Sequence, residues 1–170
     1  WPSVREKDPI GVEKSNKGGW QSSMDPITES KSKTLKKIII DSLKYLKPLK
    51  LDVCIFVEGW KNINEPKSFN VKHHHPRADL SGVLWIKTPD KSGNIVFHSR
   101  DEFNRYQILD CYTDEFKYQT SFYNTYHFSP TEGQMLIFPS DLEHEVKTNE
   151  SEEDRISYSF NVDLKLPDQM

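Results

Sequence analysis

The sequence lacks several features that would assign it to a broad class of proteins. Its 170 residues include only two cysteines, too few for a disulfide framework, so we expect a reducing, cytoplasmic setting. No apolar run approaches the roughly 18 residues that a membrane-spanning helix needs, and the first residues show no signal-peptide pattern. The formal net charge is −3 with interspersed charges, which indicates neither a nucleic-acid surface nor a membrane surface.

Length and aromatic content nevertheless predict a folded protein. The chain is long enough for one hydrophobic core, and its aromatic residues, 12% of the total, bury large areas each. We therefore expect one domain over residues 1–170. Its predicted parts are an extended arm at 1–33 that buries Trp20, a helix at 34–47, and a β core at 50–165 with a long irregular insert or short strands at about 101–126.

Apolar periodicity distinguishes the helix from the strands. Apolar residues at helical spacing from Ser32 to Lys47 predict one amphipathic helix with a lysine-rich outer face, and Pro48 ends the pattern. The β-branched and aromatic runs Leu51–Trp60 and Leu80–Lys87 predict strands. Between them, the segment Asn62–Phe69 contains a proline and is interpreted as a loop.

Two hairpins are predicted from turn residues. The sequence TPDKSGN separates Leu80–Lys87 from Ile95–His98, which is typical of a hairpin. Near the end of the chain, FPSDLEHEV and RISYSFNV flank a polar, acidic turn, so that His144 and Arg155 would lie near each other. Several short strands and one early helix favour an antiparallel sandwich or barrel.

The histidines suggest a metal site. His73, His74 and His75 are consecutive and precede Pro76. On an extended strand His73 and His75 share a face while His74 points away. With His144 as a distant third donor, the set would leave coordination positions open for substrate or oxygen. A solvated histidine loop and a structural His144 are the alternative interpretation.

Arg155 indicates an anion site. It interrupts an otherwise apolar alternating strand, where its five donors need an anionic partner. Ser157 lies two residues further and faces the same side, so the pair could hold a carboxylate. The alternative is an internal ion pair with Asp141, Glu143 or Asp163.

Four motifs occur in a characteristic order, with GGWQS at Gly18–Ser22 before them. They are H-x-H-P-x-x-x-L-S-G-V at His73–Val83, S-G-x-x-x-F at Ser92–Phe97, G-x-x-x-x-F-P-S-x-x-x-H at Gly133–His144 and R-I-S-x-S-F-N at Arg155–Asn161. In this order the sequence resembles the iron(II) and 2-oxoglutarate-dependent oxygenases. It is most similar to the small predicted hydroxylases of marine bacteria and cyanobacterial phages, so a phage-encoded protein acting in a bacterial host is one expectation.

The resemblance implies a mainly β fold, the double-stranded β-helix, also called the jelly roll or cupin-like fold, with a supporting N-terminal helix. It implies that His73, His75 and His144 bind Fe(II), and that Arg155 with Ser157 binds the distal carboxylate of 2-oxoglutarate. Dioxygen (O2) would take the open position. The implied reaction is the oxidative decarboxylation of 2-oxoglutarate to succinate, coupled to hydroxylation of a small molecule or a peptide, with prolyl residues among the candidates.

The sequence departs from the superfamily at several positions. Most members have aspartate where this chain has His75, and Asp79 is the alternative ligand. Leu84 and Trp85 stand in the family's tyrosine-rich strand, and His98, Ser99 and Arg100 stand at its usual D-P-R; Trp85 and Arg100 are kept as candidate contacts. A three-histidine cupin dioxygenase without 2-oxoglutarate and a non-catalytic β-sandwich with a structural metal are the competing functions. The position of Arg155, eleven residues after His144, favours the oxygenase. The sequence indicates no oligomeric state.

Overall fold

The computed structural model describes residues 2–27, 29–45, 54–100, 111–120 and 122–166. Within these ranges, strands predominate over helices. In chain order the elements are α1 (Pro2–Lys7), β1 (Asn16–Lys17), β2 (Trp20–Gln21), β3 (Asp25–Pro26), α2 (Glu29–Tyr45), β4 (Cys54–Asn64), β5 (Phe69–His73), β6 (Leu80–Lys87), β7 (Ile95–His98), α3 (Asp114–Thr120), β8 (Thr125–Phe128), β9 (Met135–Pro139), β10 (His144–Val146) and β11 (Arg155–Lys165).

The strands form two antiparallel sheets. Sheet A has the order β1-β5-β10-β7-β8, and sheet B has the order β2-β4-β11-β6-β9 with β3 beside β4. Along the chain, β5 to β11 pass repeatedly from one sheet to the other, so that neighbours in sequence seldom pair. This is the jelly-roll arrangement, and the prediction of a mainly β double-stranded β-helix with a supporting helix is confirmed. No helix of the described ranges is long and apolar enough to cross a lipid bilayer.

The central strand β11 shows why the two faces of sheet B differ. Ile156, Tyr158, Phe160 and Val162 alternate with polar residues, and one face of a strand carries every second side chain. Three of these four side chains join Ile39 and Leu43 of α2 in a buried apolar cluster. The helix therefore covers the apolar face of sheet B, and the polar face is left for the interior between the sheets.

Phe160 fixes how closely β4, β11 and β6 pack. It is fully buried and lies opposite Gly59 on β4 and Gly82 on β6. A Cβ atom on Gly82 would lie 2.2 Å from Phe160 Cζ. Glycine is thus required here by the close approach of an aromatic ring, since any larger residue would overlap it.

Both predicted hairpins are wrong. β6 pairs with β11 and β9 in sheet B, whereas β7 pairs with β10 and β8 in sheet A. Likewise β10 belongs to sheet A and β11 to sheet B. In the first connection, Lys91 and Gly93 have φ values of 61° and 89°, and the chain crosses between the sheets. Turn residues signal a reversal of the chain, but the buried apolar faces decide which strands pair.

The N-terminal region was predicted as extended throughout, which is wrong over Pro2–Lys7, because these residues form a helix. The second helix begins at Glu29, earlier than predicted. Trp20 is buried as predicted, with 3% of its surface exposed, and its Nε1 donates a hydrogen bond of 2.7 Å to the carbonyl oxygen of Asp8.

Other boundaries also shift. The predicted loop Asn62–Phe69 is shorter, because β4 extends to Asn64 and β5 begins at Phe69. In the predicted insert, Asp114–Thr120 is helical. The predicted strand start at Leu51, the helix end at residues 46–48 and the insert residues 101–110, with Tyr106, lie outside the described residues.

Candidate functional site

Two neighbouring strands of sheet A bring the three histidines together. His73 ends β5 and lies directly opposite His144, the first residue of β10. His75 follows in the loop, where its backbone N–H donates a hydrogen bond of 2.8 Å to the carbonyl oxygen of Ser140. His73 and His75 were predicted as members of one extended strand, but β5 ends at His73 and β6 begins only at Leu80, so the two residues do not share a strand.

The three rings converge on one point. One ligand atom from each of His73, His75 and His144 lies within 4.8 Å of the other two. The ring centroids are 4.3 Å apart for His73 and His144, 5.1 Å for His73 and His75, and 5.3 Å for His75 and His144. Three nitrogen donors from one side suit a zinc, iron, nickel or copper ion and leave its other side open. The residues present therefore fit a metal centre.

Hydrogen bonds fix the tautomers of two rings. Nδ1 of His73 lies 2.7 Å from the carbonyl oxygen of Val71, and Nδ1 of His144 lies 2.9 Å from that of Leu142. A carbonyl oxygen only accepts, so each Nδ1 carries the proton and each Nε2 keeps a free lone pair. Such backbone contacts orient histidine ligands in known metal sites.

Burial keeps these rings uncharged. It lowers the pKa of His144 to about 3 and that of His75 to about 4, and it also lowers the pKa of His73. Their mutual repulsion when protonated adds to the effect. The three imidazoles are thus neutral at physiological pH, which is the form that binds a metal ion.

The other candidate ligands lie elsewhere. Asp79 is exposed, and its Oδ2 accepts a hydrogen bond of 2.7 Å from the backbone N–H of Leu164. His74 is exposed at the edge of the cavity that His73 and His75 also line. Neither belongs to the cluster of converging ligand atoms.

The histidines line a cavity of about 930 Å³ between the two sheets. Its opposite wall is the polar face of sheet B, where Arg155 and Ser157 are both buried. Arg155 is 2% exposed, and its Nη1 donates hydrogen bonds of 2.6 Å and 3.2 Å to the carbonyl oxygens of Ser92 and Gly93. Burial lowers the pKa of Arg155 to about 10.

Arg155 has no ion pair within the described part of the chain, so the alternative of an internal ion pair is not found. Of the three carboxylates considered, Asp141 pairs with Arg100, Glu143 pairs with Lys72 at 2.9 Å, and Asp163 forms no ion pair with Arg155.

Arg100 is exposed and does not line the cavity. Trp85 is buried in the cavity wall and stacks on Phe128 at 5.7 Å.

Most of the polar wall was missed from the sequence. On β4, β11 and β6 the side chains that face the cavity form four rows across sheet B, in which each member is the direct cross-strand neighbour of the next. They are row 1 (Asn64, Arg155), row 2 (Asn62, Ser157, Trp85), row 3 (Trp60, Ser159, Val83) and row 4 (Glu58, Asn161, Ser81). The alternation of polar residues in β11 is a signal from which Ser159 and Asn161 could have been identified. Asn62 was missed because its segment had been interpreted as a loop.

A hydrogen bond connects row 2 to row 3. Asn62 Nδ2 donates a bond of 3.0 Å to Ser159 Oγ and lies 3.5 Å from Ser157 Oγ. In row 3, the ring of Trp60 lies 5.6 Å from the ring of His75. Row 3 is therefore level with the histidines, with rows 1 and 2 on one side of them and row 4 on the other.

A family model and several solved structures resemble this chain. The model described as "Putative 2OG-Fe(II) oxygenase" matches residues 58–161, more than half of the chain. No curated protein sequence matches. A prolyl-4-hydroxylase from Pseudomonas putida superposes with a TM-score of 0.62 at 17% identity, over 95% of this chain and 80% of that chain.

Two further structures are similar. SnoK, a non-heme alpha ketoglutarate dependent carbocyclase from nogalamycin biosynthesis, has a TM-score of 0.59 at 12% identity, over 96% of this chain and 71% of that chain. HygX from Streptomyces hygroscopicus, with nickel and 2-oxoglutarate bound, has a TM-score of 0.52 at 11% identity, over 95% of this chain and 75% of that chain. At these identities the likeness shows a common fold.

Proposed function

The chain belongs to the 2OG-Fe(II) oxygenase family, and from this premise we propose that it is a hydroxylase whose Fe(II) is bound by His73, His75 and His144. The observation that carries this proposal is the convergence of three ring nitrogens within 4.8 Å of one another at the wall of a cavity. The cofactors of the family are Fe(II) and 2-oxoglutarate.

We assign the second ligand position to His75 rather than to a carboxylate. The Oδ2 of Asp79 is held by the backbone N–H of Leu164, and the side chain is exposed outside the cluster. Three neutral imidazoles leave the charge of Fe(II) uncompensated by protein ligands. The chelating carboxylate of 2-oxoglutarate would compensate part of it, while the distal carboxylate pairs with Arg155, so the triad and the co-substrate suit each other electrostatically.

Arg155 and Ser157 are proposed to bind the distal carboxylate of 2-oxoglutarate. Arg155 is a buried cation whose Nη1 is held by two carbonyl oxygens, while no hydrogen bond in the described ranges uses its Nη2 or Nε. A desolvated guanidinium with free donors binds a carboxylate strongly. This arrangement favours an oxygenase that uses 2-oxoglutarate over a three-histidine dioxygenase that does not, because the distal carboxylate of the co-substrate would satisfy these donors.

When bound, the iron centre with O2 and 2-oxoglutarate supplies the oxidising chemistry that yields succinate, CO2 and a hydroxylated C–H position. The protein residues orient the reactants and exclude water. Trp60, Val83 and Phe138 are buried in the cavity wall and provide its apolar part. The substrate is proposed to be a small molecule or a peptide, with a prolyl residue as one candidate.

Succinate formation tests the proposed function. We expect the protein to convert 2-oxoglutarate to succinate when supplied with Fe(II), ascorbate and O2. His75→Ala and His144→Ala should abolish both iron binding and succinate formation, and the matched variant His74→Ala, with its exposed side chain, should retain both. The absence of succinate from fully iron-loaded protein would contradict the oxygenase. Undiminished iron affinity in His75→Ala would contradict the three-histidine ligand set alone.

A further inference from the structure

Row 4 of the cavity wall has no part in the proposed metal and co-substrate sites. It consists of Glu58 on β4, Asn161 on β11 and Ser81 on β6, which are direct cross-strand neighbours. Directly opposed residues of antiparallel strands project to the same face, with Cβ atoms about 5 Å apart. All three side chains line the cavity. They therefore present one continuous polar surface to its interior.

Row 4 lies beyond the histidines as seen from Arg155. Trp60 of row 3 is next to His75, and Glu58 is two residues further along β4, away from Asn64 and row 1. At about 3.4 Å per residue, Asn161 is roughly 20 Å along β11 from Arg155. A five-carbon acid held at Arg155 and chelating a metal at the histidines would end before it reaches this row. The space at row 4 is thus left for the substrate.

Glu58 gives this space a negative charge. Of the described residues that line the cavity, it alone carries a carboxylate. Its side chain is half-buried and takes part in no ion pair or hydrogen bond that the structure records. Lys14 and Arg77 also line the cavity but are exposed, and neither pairs with it. A carboxylate partly removed from water is unfavourable without a cation beside it, so a cationic ligand group would compensate it.

Asn161 adds a donor next to this carboxylate. Its side chain is buried, with 6% of the residue exposed. Its Oδ1 accepts a hydrogen bond of 2.9 Å from Ser81 Oγ, which leaves Nδ2 as the group available to a ligand. The recorded partner of Nδ2 is the sulfur of Met24 at 3.8 Å, a weak acceptor. A ligand oxygen would be a better partner.

We propose that row 4 binds the amino end of the substrate, with an ammonium group at Glu58 and the oxygen of a neighbouring carbonyl at Asn161 Nδ2. The substrate class is a primary or secondary amine beside a carbonyl group, as in an amino-acid amide or the N-terminus of a peptide. This inference rests on the proposed function, because it takes the three histidines as the reacting centre. Ser81 acts as a positioning residue that holds the Asn161 amide in orientation.

Matched probes test the charge requirement. The probes are amino-acid amides, prolinamide among them, each compared with its N-acetylated form, which keeps the carbon skeleton but loses the positive charge. Binding is measured anaerobically to the protein loaded with Fe(II) and 2-oxoglutarate, through the change in its charge-transfer absorption. We expect at least one free amine to bind about tenfold or more tightly than its acetylated form, since a desolvated charge pair contributes this much or more.

Variants assign the preference to row 4. Glu58→Gln, which keeps the side-chain shape, should remove the preference for the free amine. Asn161→Ala should weaken the binding of the free and the acetylated probes alike, because both retain the carbonyl oxygen. The matched control is Glu152→Gln, the same change at an exposed site outside the cavity, and it should keep the wild-type preference.

The outcomes separate the two proposals. If no amine binds, if acetylated probes bind as tightly as free amines, or if Glu58→Gln keeps the preference, the row 4 assignment is wrong while the oxygenase stands. If the wild-type protein forms no charge-transfer band with Fe(II) and 2-oxoglutarate and releases no succinate, the proposed function fails and the row 4 assignment falls with it.

Discussion

Replacement of Arg155 with methionine distinguishes a co-substrate clamp from a structural anchor. Methionine keeps much of the side-chain length and removes the charge. Burial lowers the pKa of Arg155 from its ordinary value to about 10, which corresponds to roughly 3 kcal/mol in favour of the uncharged form. Because the folded-state pKa is the lower one, this penalty on stability is fully present at neutral pH and is lost only as the pH rises above about 10 towards the ordinary pKa of arginine.

Two hydrogen bonds offset this penalty. Arg155 donates to the carbonyl oxygens of Ser92 and Gly93, and a hydrogen bond from a charged donor contributes about 1.5 kcal/mol at the low end of its range. The two bonds together therefore roughly cancel the cost of burying the charge. We expect the free energy of unfolding of unliganded Arg155→Met to lie within about 1 kcal/mol of wild type, as measured by denaturant titration with tryptophan fluorescence.

The effect on 2-oxoglutarate binding should be much larger. Loss of a buried, charge-assisted contact costs about 2 kcal/mol or more, or about 30-fold in Kd, which calorimetry on metal-loaded protein under nitrogen measures. Arg155→Lys keeps the charge but loses the planar donor fork, so its Kd for 2-oxoglutarate should lie between those of wild type and Arg155→Met. An Arg155→Met variant that loses 3 kcal/mol of stability yet binds 2-oxoglutarate normally would show that Arg155 anchors the turn at Ser92 and Gly93 and does not bind the co-substrate.

Three further substitutions test the fold and the ligand set. Gly82→Ala should lower the free energy of unfolding by about 2 to 3 kcal/mol, because its Cβ would lie 2.2 Å from Phe160 Cζ; a wild-type denaturation midpoint would contradict this packing. Asn149→Ala should lower it by about 3 kcal/mol in the same assay, since the side chain is fully buried and bonds the carbonyl oxygens of Asn64 and Glu153; a loss below about 1 kcal/mol would refute that role. Asp79→Ala should keep its iron content by elemental analysis, and a loss of iron would make the carboxylate a ligand.

Local sequence patterns predicted some elements well. The strand Leu80–Lys87 has the predicted bounds, because a compact apolar run between turn residues specifies a strand whatever it pairs with. The alternation in β11 likewise predicted that Arg155 and Ser157 face the same side. These features depend on the period of side-chain direction along a strand, which is a property of the segment itself.

Strand pairing could not be predicted in this way. Turn residues between two strands show that the chain reverses, but β6 and β7 join different sheets because each buries its apolar face against the other sheet in a cluster that includes Val83, Trp85 and Phe97. The short helix α3 has no buried residue within its span, so it lacks the apolar periodicity that would have predicted it.

The candidate site was predicted through resemblance more than through geometry. The spacing of His73 and His75 suggested a shared face, but the pairing of His73 with His144 is a tertiary feature of β5 and β10. Glu58 and Asn161 were not recognised as site residues, because an acidic residue in an apolar strand and an amide at a strand position look like ordinary sheet residues until the cross-strand register is known.

The failure of the predicted last hairpin explains how the site can hold a ligand. In one hairpin, His144 and Arg155 would be near neighbours on a single wall, with opposed Cα atoms about 5 Å apart, and no space would remain between a metal and the arginine. Because β10 and β11 lie in different sheets, the two side chains line one cavity from opposite walls. The connecting loop is held in place by Asn149, whose side chain binds the carbonyl oxygens of Asn64 and Glu153 and whose backbone N–H bonds to Ser68. This loop is thereby fixed beside the turn between β4 and β5, and a five-carbon acid anchored at both walls would bridge the space that the crossing creates.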